Sequence, residues 1–118
     1  MNNTYSPDDL LEFSKQMGCG IEYARRDLDE MDPGLRKRLL FALHNEIFDG
    51  ELLRDPIELD PVFKNLIEEA ARRAEWNVKY KGMGLCHMIW SEQARILKEE
   101  HQIDWYSPAE MNPWVMMD

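Results

Sequence analysis

The chain has 118 residues, 44% of them hydrophobic, which is enough apolar material for one folded core and too much for a disordered protein. Its 23 acidic residues outnumber 14 basic ones. The resulting net charge of -9 repels nucleic-acid backbones and anionic membranes, argues against direct binding to either, and favours basic partners. No run approaches the roughly eighteen apolar residues of a membrane span, and the first residues lack the basic and apolar regions of a signal peptide. Two widely separated cysteines, Cys19 and Cys86, read as reduced thiols, so a cytoplasmic location is expected.

Proline follows a good capping residue at Ser6-Pro7, Asp32-Pro33, Asp60-Pro61 and Ser107-Pro108, and each pair predicts a helix start. The fixed φ of proline suits the first turn, and the Ser or Asp oxygen accepts from the next free N–H. Ser107-Pro-Ala-Glu110 reads as a full capping box and Ser6-Pro-Asp-Asp9 as a weaker one.

The first helix is predicted from Pro7 to Met17, buries Leu10, Leu11, Phe13 and Met17, and stops at Gly18-Cys19-Gly20. A second runs from Ile21 to Met31 with Ile21, Ala24, Leu28 and Met31 on one side. The third starts at Pro33, and its apolar run through Ile47 and Phe48 predicts that it closes at Asp49-Gly50. Pro56 breaks the pattern between Glu51 and Asp60, where Leu52, Leu53, Ile57 and Leu59 still suggest a connector that tucks inward.

A fourth helix is predicted from Pro61 to about Lys81, with Phe63, Leu66, Ile67, Ala70, Ala74 and Val78 on one face. The fifth, Gly84 to Ile103, carries an apolar arc of about 240° and reads as the core helix. At 1.5 Å per residue the two are about 31 Å and 28 Å long, matched for an antiparallel hairpin joined at Lys81-Gly82-Met83-Gly84. The rival is one continuous helix kinked at the glycines. Gln93 and Glu100 interrupt the arc; a polar residue there needs a partner or an exposed setting, and Glu100 reads as partly exposed.

No signature of catalysis or metal binding stands out. His44, His87 and His101 lack a carboxylate three residues earlier, and there is no zinc, calcium or phosphate-loop spacing. Cys86, early in a helix and next to His87, is the one thiol with an argument for a lowered pKa, but it falls inside the apolar arc, where an inert thiol is expected. The pairs Arg25-Arg26 and Arg72-Arg73 and the run Arg36-Lys37-Arg38 read as bridges to neighbouring acids, with a basic groove as the sharper alternative.

These features imply an all-α protein, a single small helical domain over residues 1–118. It has four to five main helices, a C-terminal antiparallel helical hairpin and an aromatic tail. Without a cofactor, metal or catalytic motif, the expected role is that of an acidic regulatory module, not an enzyme, that binds another protein or itself as a homodimer. An acidic mimic of nucleic acid that inhibits a nucleic-acid-binding protein is the first alternative, and a small enzyme with a dispersed site the second. Trp105, Tyr106, Trp114 and Met116 are the candidate interface, because aromatic and methionine side chains concentrate at interface centres. The competing expectation for this tail is an intramolecular lid.

Overall fold

The computed structural model describes residues 5–79 and 81–115, and it is mostly helical. Its elements in chain order are α1 (Pro7–Met17), α2 (Ile21–Glu30), α3 (Pro33–His44), β1 (Phe48–Asp49) and β2 (Leu52–Leu53). There follow a 3-10 turn (Pro56–Leu59), α4 (Pro61–Asn77), α5 (Leu85–His101) and α6 (Pro108–Met111). All four Ser/Asp-Pro pairs cap helices. The Ser6 hydroxyl accepts from the Asp9 N–H at 3.1 Å while Asp9 takes the Ser6 N–H at 2.8 Å. Asp32 caps α3 through Leu35, Asp60 caps α4 through Val62, and Ser107 and Glu110 form the second reciprocal box. A fifth pair, Asp55-Pro56, caps the 3-10 turn through the Ile57 N–H at 3.1 Å.

The apolar stripe predicts that α3 continues through Phe48, but it ends at His44. Glu46 takes the left-handed conformation (φ 53°), the Ile47 N–H bonds the Ala42 carbonyl at 2.9 Å, and the Glu46 N–H reaches Leu43 at 3.4 Å. This is the helix-ending pattern usually built on glycine. A glutamate there gives no sequence signal, because only tertiary packing holds it at positive φ. The freed residues pair as a short antiparallel hairpin, Phe48 opposite Leu53 and Asp49 opposite Leu52, turning at Gly50 (φ 64°).

The fourth helix also ends earlier than predicted, at Asn77, where Val78 turns extended (ψ 119°). Residues 78–84 then link α4 to α5, which pack against each other as a helical hairpin, so the kinked continuous helix is ruled out. Gly84, at φ 80°, starts α5 in a conformation that a side chain would strain.

One core was the expectation from size, yet the buried residues form two clusters. The first joins α1, α2, α3, β2 and α6 through Phe13, Leu28, Leu39, Leu53 and Met111. The second joins α4 and α5 to the segment after α5 through Ile67, Ala70, Ile96, Leu97, Ile103 and Trp105. The most deeply packed helix is therefore α3, with Leu39, Leu40, Ala42 and Leu43 buried, and not α5. Only Gln93, Ile96 and Leu97 of α5 are buried, because α4 is the one long helix packed broadly on it. Gln93 keeps its place by donating to the Ile67 carbonyl at 3.2 Å. Glu100 is exposed and forms a two-pronged pair with Arg73, both contacts at 2.7 Å.

Candidate interaction surface

The described tail residues singled out by composition, Trp105, Tyr106 and Trp114, face inward. Trp105 is buried in the second cluster, and its indole N–H donates to Glu58 at 2.8 Å. Tyr106 packs on the first cluster, donates to Asp32 at 3.0 Å and lies under the Arg38 guanidinium at 5.1 Å. Burial, followed by the hydrogen bond to Asp32, pushes the Tyr106 phenol up to about 12. Trp114 meets Phe13 edge to face with ring centres 6.1 Å apart. Met116 lies outside the described residues. Trp105, Tyr106 and Trp114 are thus divided between two apolar clusters and do not form one exposed patch; each side chain has a partner that the fold brings from far along the chain.

Exposed apolar side chains are spread over the surface, Leu59 and Val62 around the start of α4 among them, and three of them, Trp76, Met83 and Met88, stand at the junction of α4 and α5. Trp76 and Met83 are each 79% exposed and Met88 is 44% exposed, while Leu85, Ile89 and Trp90 are only half-buried. An arc of about 240° would need helices on more than one side, and here Leu85, Ile89 and Trp90 are covered only in part and Met88 is exposed. Two grooves flank the row His87–Ser91. One, of about 560 Å³, runs between the end of α4 (Asn77, Val78, Lys79) and Met88 of α5. The other, of about 410 Å³, separates Trp90 and Ala94 from Ala109 and Glu110 of α6. The His87 ring stands edge-on to Trp90 at 5.7 Å, which fixes the ridge between them.

The polar groups of the first groove are fixed by their own contacts. Glu92 accepts from Arg95 at 2.8 and 2.6 Å and from Asn77 at 2.9 Å, and Arg95 also holds Glu99 at 2.9 Å. The Arg95 hydrogen bonds, then that from Asn77, hold the Glu92 carboxyl down at about 2. At the rim, the Lys79 ammonium lies 5.4 Å over the Trp76 ring. Charge differs along the chain. From Pro7 to Asp32 eight carboxylates face three cations, whereas from Asn77 to Ser91 the two cations Lys79 and Lys81 face no carboxylate, Arg95 beyond them being paired with Glu92 and Glu99. The α4–α5 junction is a locally positive stretch of an acidic protein.

The arginine clusters do not supply this positive character. Arg36 is buried and donates to the Leu28 carbonyl at 2.7 Å, placing a cation at the negative end of α2. Arg38 pairs with Asp55, Arg73 with Glu100, and Arg26 stacks on Tyr23. Lys37 of that run lines a third groove, beside Phe41, Pro56 and Ile57. Both cysteines are half-buried. Among the described residues, no three His, Cys, Asp or Glu side chains converge as a metal site, and no helix is long and apolar enough to cross a membrane.

Comparison with known proteins returns no match: no protein family, curated protein or solved structure is significantly similar to this chain.

Proposed function

We propose that this protein is a protein-binding module whose contact surface is the junction of α4 and α5. The observation that carries the reading is the half-covered apolar arc of α5, continuous with a groove that Met88 lines and with Trp76 at its rim through Lys79. Methionine, tryptophan and arginine are the residue types that dominate interface centres. The fixed Glu92–Arg95 pair adds a polar floor that loses no side-chain freedom when a partner lands. The partner this surface fits is a polypeptide, such as an amphipathic helix, that offers an apolar anchor to the groove and a carboxylate to Lys79 or Lys81.

The test is a set of three variants examined by circular dichroism, sedimentation and recovery of bound proteins from the native cell. Met88→Glu and Trp76→Ala change the proposed surface, and Leu11→Glu changes an apolar side chain on α1 that is 49% exposed. The expected result is wild-type helix content in all three, with bound protein or self-association lost in the first two and kept in the third. Equal recovery and equal sedimentation across wild type and all variants defeat the proposal.

A further inference from the structure

The backbone crosses between the two apolar clusters twice, from Leu53 to Ile57 and from Trp105 to Tyr106. Both crossings meet at one buried carboxylate. Asp55, fully buried on the first crossing, accepts from the Tyr106 N–H of the second at 2.9 Å and from Arg38 of α3 at 2.8 Å. The same Arg38 nitrogen donates to the Asp104 carbonyl, so one guanidinium fastens both crossings to α3. Beyond α3 against the 3-10 turn, no described helix of one half packs broadly against a helix of the other. Two of the grooves are lined from both halves: one by α5 and α6, the other by α3 and the 3-10 turn.

We infer that the protein is a two-part hinge in which Arg38 and Asp55 are the pin, and that the α1–α3 half and the α4–α5 half move against each other about residues 54–56 and 104–106. Each half has its own apolar cluster, so each keeps its internal packing as the angle changes. What changes is the width of the grooves between them. Closing on a ligand held between the halves, or opening when the pin is released, then needs no helix to unfold. The pin is polar and one-sidedly buried: Arg38 is partly exposed and Asp55 fully buried, so the pair sets one defined closed geometry, and opening must bring water to the Asp55 carboxylate.

The experiment is a pulsed electron-spin distance measurement between labels at Glu12→Cys on α1 and Arg72→Cys on α4, both exposed positions, in full-length protein carrying Cys19→Ser and Cys86→Ser. It compares unmodified Arg38 and Asp55 with Arg38→Met and, as a same-size change, Asp55→Asn, with amide exchange followed in parallel. The expected result is a single narrow distance peak with the pin intact and loss of that peak to a broad distribution in at least one pin variant, while amides of α3 and α5 stay protected. An unchanged distribution in both variants overturns the inference. So does broadening that occurs only together with loss of α3 and α5 protection, in one variant or both, which makes the joint part of the cooperative fold.

Discussion

Asn112 holds Leu53 from both sides: its carbonyl oxygen accepts from the Leu53 N–H at 2.8 Å and its amide donates to the Leu53 C=O at 2.9 Å. A third bond runs to the Pro108 carbonyl at 2.7 Å, and the residue is fully buried. A side-chain amide thus takes the place of a third strand beside β2, ties the C-terminal turn to the first cluster and satisfies an inward backbone edge. Asn112→Ala leaves both Leu53 groups buried without partners and should destabilise by about 2–4 kcal/mol, read from the urea midpoint. A shift under about 0.5 kcal/mol contradicts this account.

Leu97 and Ile89 lie on the same apolar arc of α5 but in different surroundings. Leu97 is fully buried in the second cluster and Ile89, two turns earlier, is half-buried outside it. Leu97→Ala should cost about 2–5 kcal/mol and Ile89→Ala about 1 kcal/mol, measured by thermal or chemical melting. Equal losses would mean that α5 is covered evenly along its length.

Gly34 sits on α3 where an added methyl would fall 2.6 Å from the Tyr106 hydroxyl. That hydroxyl is anchored to Asp32, and Arg38 lies over the ring, so it does not give way freely. Gly34→Ala is expected to destabilise by about 1–3 kcal/mol, and to become neutral or stabilising when Tyr106→Phe removes the oxygen. A double-mutant cycle with no coupling rules out the contact.

Glu92 stays ionised in the folded protein down to about pH 2 and takes up a proton near 4.5 once unfolded. A lowered folded-state value means that its stabilising contribution is present above about 4.5 and is lost as pH falls from there towards 2. Glu92→Gln should therefore flatten the fall of melting temperature across that window and leave its slope near neutral pH unchanged. An acid limb identical to wild type counts against the Glu92–Arg95 clamp.

Tyr106 gives the opposite sign. Its folded value of about 12 stands above the ordinary 10.0, so its contribution is complete below about 10 and lost as pH rises towards 12. Absorbance titration should show a late-ionising tyrosine that disappears in Tyr106→Phe, whose stability then falls less between pH 10 and 12.

The sequence by itself determined where the helices start and which side of each is apolar. Ser6, Asp32, Asp60 and Ser107 act on N–H groups two or three residues away, Gly18 supplies a positive φ at the end of α1, and apolar spacing marks the inward faces in the main, though Leu11, expected to be buried, is 49% exposed. Such signals span one turn of backbone and are therefore visible locally. Tertiary structure decided the rest. Glu46 ends α3 in a conformation its residue type does not favour, and Asp55 is joined to Tyr106 across 51 positions and Leu53 to Asn112 across 59. The aromatic residues of the tail could be read either as a contact surface or as an inward lid, and only folding decides between them, since their partners Phe13, Asp32 and Glu58 are close only after it. For the same reason the arc of α5 showed that a broad apolar surface exists, and only the placement of α4 and α6 left its first half partly covered, with Met88 exposed. Hydrophobic periodicity records which side of a helix is apolar; whether anything covers that side depends on where the other elements pack.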